Sequence, residues 1–493
     1  MKLFLKLVSC LLILTTLLSL IGCSNTNEAY IYFELTETPT TLDPQTASTD
    51  AELLIIKNIF EGLLRKNQKG EIVPAIAESY EKKGLTYTFK IRSDAKWSNG
   101  EKITAYDFQF GFKRAILPET EAAYASRLFS IKNAEKIHNG NTNLKSLGVY
   151  AEDNHTLKIE LINEDPYFLE TLTTSIAMPC NEEVFLESEG KYGLFADNIL
   201  SCGSYELSRW RKETLGIRLY RNKTYNGFAK AKNAAVFITC DKDKTVFEKF
   251  QKESIDIAFI PCAKKSEADS LSLETLNIEN ICWILTLSNQ FSPNMRKAFS
   301  MLVGSEVFSK DLQSGYSVAT SIYPSSVAKD ISPIGLTPYN PTIAKSLYLN
   351  ELAKLKQNKF PNDVYLYYFD DGNIKNIVTD IVGHWQSNFS AFVNIKPIDD
   401  ISEFDGELKD QNLSMSIFPI KADSPNIREY LSNFGYSYNS EDLSEAQTDI
   451  LKSNNIIPIM FQNTTIAYRS CLSNITAETG NGYLDFSFII KDE

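Results

Sequence analysis

Apolar and polar residues change period repeatedly along this chain, which predicts short strands interleaved with helices. Tyr30-Ile31-Tyr32-Phe33 reads as a strand. From Ala51 to Lys66 the apolar Leu54, Ile55, Ile59 and Leu63 recur at helical spacing and predict an amphipathic helix. Residues 86–92 return to a period of two, with Tyr87, Phe89 and Ile91 on one face of a strand. The same reasoning predicts a helix over 107–116, strands over 156–161 and 215–220, and a turn at 222–227. The later half continues with helices over 341–356 and 373–389 and strands over 364–369, 394–398, 457–462 and 484–490. No internal repeat is visible, and the mixture points to α/β architecture rather than a bundle or a sandwich.

Size and charge narrow this further. The chain has 493 residues, and single cores stop growing at roughly 250–300, so two or three domains are expected. With 43% hydrophobic and 23% charged residues the composition is that of a folded protein. A formal charge of −12, with no cluster of Lys and Arg, argues against a nucleic-acid partner, because neutralising phosphates requires one.

The first 23 residues follow a different pattern. Lys2 and Lys6 precede an apolar run over 7–21 that ends in Leu20-Ile21-Gly22-Cys23. This resembles a bacterial lipobox, which implies a signal peptide at 1–22, cleavage before Cys23 and acylation of Cys23, with the polar residues 24–28 as a tether. The alternative is a transmembrane anchor, but the run is nearer 15 residues than the roughly 20 a span needs. Export would leave six cysteines besides Cys23: Cys180, Cys202, Cys240, Cys262, Cys282 and Cys471. An even number permits disulfides. Pairing of Cys180 with Cys202 is the expectation, free buried thiols the alternative. No CxxC knuckle is present, and no metal or cofactor is expected.

The order of several segments carries a family resemblance. Leu42-Asp43-Pro44, Phe60-Glu61-Gly62-Leu63 and residues 73–79, reading VPAIAES, open the series. Residues 84–92, reading GLTYTFKIR, are followed by Trp97-Ser98-Asn99-Gly100 and Thr104-Ala105-Tyr106-Asp107-Phe108. Further landmarks are Asp153-Asn154-His155-Thr156-Leu157, Gly203-Ser204-Tyr205, Tyr220-Arg221-Asn222, residues 250–256, Arg296-Lys297-Ala298-Phe299 and residues 339–347. Together they resemble the oligopeptide- and dipeptide-binding proteins of ABC importers, solute-binding family 5. Residues 118–126, ending in Tyr124-Ala125-Ser126, are most similar to the oligopeptide branch.

The resemblance implies a large three-domain, bilobed α/β fold. Its domains are expected at 24–61 with 184–283 and 465–493 (first lobe), 62–183 (small inserted domain) and 284–464 (second lobe). It implies peptides held as an extended strand between the lobes, an ABC importer permease with ATPase subunits as partners, a membrane contact through Cys23, and a monomer without enzymatic turnover. In the oligopeptide branch an Ala-Asp carboxylate holds the ligand's α-ammonium, and Ala422-Asp423, after Lys421, matches it. Asp423 as a helix cap is the alternative. Phe404 and Tyr124 are expected to wall the cleft, with core packing as the alternative for each.

Two departures limit the carry-over. Pro419-Ile420-Lys421 stands where the family has an aromatic or Gly, and Pro419 has no N–H to give. The chain is also short between Phe434 and Ile456, which trims the second lobe. Other solutes, namely a cell-wall peptide, nickel or a sugar, remain alternatives on the same fold. A secreted peptidase is disfavoured because His138, His155 and His384 are scattered and neither GxSxG nor HExxH occurs.

Overall fold

A computed structural model describes residues 29–210, 216–238, 244–328, 335–399, 415–422, 427–436, 442–477 and 483–492. The opening strand, Tyr30–Glu34, leads through a loop into the helix Asp50–Ile59. Glu52 fixes that loop. Its carboxylate accepts the amides of Thr40 (2.8 Å), Thr41 (3.1 Å), Ser48 (3.0 Å) and Thr49 (3.2 Å), and Thr49 caps the helix in return. Burial alone would raise the Glu52 pKa, but these bonds outweigh it and hold the carboxyl below its ordinary value.

The helix stops well short of the Lys66 that its apolar spacing predicts. Phe60 is already extended, and Gly62 lies so close to the Leu172 carbonyl that a Cβ would meet it at 2.8 Å. The chain then pairs Leu64–Lys66 with Ile72–Pro74 as a small ribbon. The apolar Leu63 is buried by this turn instead of by a helix face.

An eleven-stranded mixed sheet organises the molecule. Its spatial order is Asn394–Ile398, Tyr365–Phe369, Met415–Lys421, Glu274–Leu287, Ile456–Tyr468, Ile257–Ile260, Tyr30–Glu34, Ala234–Ile238, Gly216–Arg221 and Tyr205–Arg209, with Tyr316–Val318 also pairing Ile456–Tyr468. Two long antiparallel strands, Glu274–Leu287 and Ile456–Tyr468, cross the middle. One end of the pair borders Ile257–Ile260, and the other borders Met415–Lys421. The register shifts between Glu279 and Ile281, where Asn280 is fully buried. Asn280 ties three strands together: its side-chain oxygen accepts from the Thr464 hydroxyl at 2.8 Å, and its carbonyl from the Ala422 amide at 2.8 Å.

One apolar core unites the strand Tyr30–Glu34, the first helix and the four-stranded antiparallel sheet around Thr86–Ile91 with the C-terminal Leu484, Phe486 and Ile489. Phe33 and Phe486 meet edge to face with centroids 5.5 Å apart. Asn58 secures the same junction, bonding the Leu484 carbonyl at 3.1 Å and the Phe486 amide at 2.8 Å. A second core fills the other half, around Trp283, Phe299, Tyr348 and Trp385.

Three expectations are corrected. Residues 484–490 form no continuous strand: Asp485 accepts the Ser487 amide at 3.0 Å, and this local turn competes with ladder pairing. Leu484 makes a single bridge to Ala477, and Ile490–Lys491 pairs with Leu472–Ser473. The return strand expected at 457–462 runs on to Tyr468, and Glu274–Leu287, the longest strand among the described residues, was not foreseen. Cys180 and Cys202 are free thiols rather than a disulfide. Each sulfur has its own buried niche: Arg114 donates to Cys180 at 3.4 Å, and the Glu61 amide to Cys202 at 3.3 Å. Burial pushes the Cys180 thiol up to about 11 and Cys202 well above the ordinary range, so neither forms a reactive thiolate.

Candidate ligand cleft

The strand Met415–Lys421 carries an incomplete edge. On one side it pairs with Glu274–Leu287 along its whole length. On the other, Tyr365–Phe369 pairs only as far as Ile417, and no described strand continues beyond it. The parity of the remainder follows from one bond: the Ala422 amide donates to the Asn280 carbonyl, so Ala422 and Ile420 turn their backbone groups inward. Pro419 and Lys421, the alternate residues, turn theirs outward. The outward edge therefore offers the Lys421 N–H and two carbonyls, and the missing N–H of Pro419 falls on it.

Beside this edge lies a chamber of about 700 Å³. Phe33, Leu35, Leu54, Phe259 and Ile281 supply apolar wall, and Asp50, Lys421 and Tyr483 stand at it. Asp50 opens the first helix, where an acidic side chain is favoured by the helix dipole. It accepts the Tyr483 hydroxyl at 2.9 Å and pairs with Lys421 from the far side of the cleft. Tyr483 also borders a second cavity, of about 860 Å³, along the same helix. Arg65 is engaged there by Glu61 at 2.9 Å and Asp485 at 2.5 Å. Burial would raise the Asp485 pKa, but Arg65 and Lys57 hold it down.

Two further ion pairs cross the cleft at its rim. Arg127 donates to Glu429 at 2.7 Å, and Arg428 to Asp165 at 3.2 Å. Neighbouring residues of the short helix Ile427–Ser432 thus meet opposite charges of segment 127–165 in reciprocal fashion. Arg127 also stacks on Tyr124, 3.9 Å from its centroid.

Of the residues singled out from sequence, Lys421 and Tyr124 converge: the Tyr124 hydroxyl donates to the Ser48 carbonyl at 3.1 Å, two residues before Asp50. Ala422 is buried and its amide is spent on Asn280, so it gives a ligand no N–H. Asp423, Phe404 and Cys23 lie outside the described residues. Sequence reasoning missed Asp50, Tyr483, Arg127 and Asn280. Asp50 reads as an ordinary first-turn acid after Thr49, and the others belong to no periodic pattern. The histidines are dispersed, His138 against the Ile116 carbonyl, His155 against that of Ile91 and His384 near Tyr339.

Comparison with known proteins matches this architecture. The model of the bacterial extracellular solute-binding proteins, family 5 Middle, covers residues 71–442. The chain is 28% identical to the oligopeptide-binding protein OppA of Bacillus subtilis over 420 residues, 79% of this chain and 76% of that protein. Listeria monocytogenes OppA bound to peptide superposes with a TM-score of 0.71 at 18% identity, covering 95% of this chain and all of that one. The Escherichia coli murein tripeptide binding protein MppA gives 0.72 at 20% identity, covering 94% and 99%. These structures share the bilobed mixed α/β fold, whose lobes here are the two halves joined by the crossing strands. The protein belongs to the bacterial extracellular solute-binding proteins of family 5.

Proposed function

We propose that this protein captures peptides between its lobes and delivers them to the permease of an ABC importer. The observation that carries the reading is the outward edge at Pro419 and Lys421, which ends in the cleft and offers backbone groups to an extended ligand. Family membership and relatives whose names specify oligopeptides support it. The division into 24–61 with 184–283 and 465–493, 62–183, and 284–464 is part of the proposal. So are Asp423 as the holder of the ligand's ammonium, Phe404 and Tyr124 as cleft walls, a monomeric state, and a lipid tether on Cys23.

Denaturing the purified mature protein and analysing released small molecules by mass spectrometry tests the function. Intact peptides, cell-wall peptides among them, support it, whereas a non-peptide solute or no ligand contradicts it. Shortening of added peptides on incubation would instead identify a peptidase. For the tether, Cys23→Ser should release the protein from membranes or leave it unprocessed; normal processing with unchanged membrane association excludes lipidation there.

A further inference from the structure

The geometry points to a selective subsite: the chamber beside Lys421 takes one large apolar side chain of the ligand, and Asp50 keeps acidic side chains out by neutralising Lys421. This rests on the peptide-binding reading and names the ligand class within it.

Position comes first. Lys421 belongs both to the outward backbone edge and to the chamber. An extended ligand laid along that edge presents its side chains alternately to either side, so one of them falls at the chamber mouth.

Chemistry then decides what fits. Phe33, Leu35, Leu54, Phe259 and Ile281 reward an apolar group by removing its surface from water. The two charged groups at the chamber already satisfy each other across the cleft, and the Tyr483 hydroxyl is committed to Asp50. The Thr464 hydroxyl is committed to Asn280. A charged ligand side chain would therefore surrender its hydration without gaining a countercharge, the neutral hydroxyl of Thr36 being what remains at the wall. Among the described residues Lys421 is the only cation lining the chamber, and Asp50 is what stops it from selecting a carboxylate. Removing the Asp50 charge should turn an apolar subsite into an acid-accepting one.

Isothermal titration with alanine tri- and pentapeptides, each carrying a single Leu, Phe or Glu at successive positions, tests this on the wild-type chain. At one position Leu and Phe should bind roughly tenfold or more tighter than Ala, and Glu should bind more weakly than Ala. Asp50→Asn should raise the affinity of the Glu peptide at that same position above that of the Ala peptide. Ile281→Phe, which fills the chamber, should erase the preference for Leu and Phe there. Equal affinity for all side chains at every position, or no gain for Glu in Asp50→Asn, overturns the subsite and leaves peptide binding standing. Failure of the wild type to bind any of these peptides overturns the peptide reading itself.

Discussion

Ion pairs inside the first lobe and ion pairs across the cleft use the same residue types in opposite ways. Within the lobe, Arg114 grips Asp43 at 2.6 and 3.2 Å and Gln45 at 2.8 Å, with its guanidinium 4.0 Å from the Phe185 centroid. Both side chains are below 10% exposed. Across the cleft, Lys421 and Asp50 are 31% and 46% exposed, and each rim pair joins a partly exposed partner, Arg428 at 35% or Glu429 at 28%, to a shielded one, Asp165 or Arg127. Breaking a buried pair strands a charge at several kcal/mol, whereas exposed pairs contribute about 0–1 kcal/mol each. The first kind makes a lobe rigid. The second lets the lobes meet without locking.

The contrast yields graded expectations. Arg114→Met should be the most damaging change, costing about 3–5 kcal/mol in urea unfolding because Asp43 is left buried without a countercharge; a loss under about 1 kcal/mol would erase the distinction. Asp423→Ala should weaken peptide binding by about 2–5 kcal/mol, as should acetylating the peptide's amine, and the two losses should not add. If the variant binds free and acetylated peptides as tightly as the parent, the ammonium is held elsewhere.

A third expectation concerns acid. In the second lobe Glu351 accepts from Lys354 at 2.6 Å, Ser292 at 2.6 Å and Asn294 at 3.0 Å, and these bonds, led by that of Lys354, lower its pKa from 4.5 to about 2. A folded-state pKa below the unfolded one stabilises the fold above the unfolded value, and that contribution disappears as pH falls through the folded one. Second-lobe stability should therefore decline between about pH 4.5 and about pH 2, and Glu351→Gln should flatten that limb of a pH-dependent melting series.

The smallest effect belongs to the rim. Arg428→Gln combined with Glu429→Gln should change stability by no more than about 3 kcal/mol, since each removes the partner of a side chain shielded from water, Asp165 or Arg127. The ligand-free protein should nevertheless open, read as a larger radius of gyration in small-angle scattering, with added peptide restoring compaction. An unchanged radius would show that the rim pairs do not hold the lobes together.

How much the sequence disclosed differs between these regions for a physical reason. The family landmarks perform structural tasks in the first lobe. Asp107 caps its helix through the Thr104 amide at 2.7 Å, Trp97 is fully buried, and Asn222 bonds the Gly203 carbonyl at 2.9 Å. Such tasks demand one residue type at one spacing, so they are readable. The cleft instead uses backbone groups at Pro419 and Lys421, which any sequence supplies, and pairs such as Asp50 with Lys421 that are 371 residues apart. The strand Glu274–Leu287 escaped notice because its first half is only partly buried and shows no clean alternation. Pro419 was legible as a gap in the edge, and the pairing parity explains why the strand tolerates it: opposite Trp283, no ladder bond from its nitrogen is required.

The closure of the first core by Leu484, Phe486 and Ile489 bears on the order of synthesis. Asn58 and Leu484 are 426 residues apart, so the hydrophobic seal on the strand Tyr30–Glu34 cannot form until nearly the whole chain has emerged. Contacts this distant slow folding more than they weaken the folded state. A nascent chain must carry Phe33 and the first helix uncovered for most of its translation, exposed to chaperones or threaded unfolded through a translocation pore. Chains cut before Leu484 should remain protease-sensitive in the first lobe while the second lobe, whose core lies between Trp283 and Met460, has all of its own residues in hand.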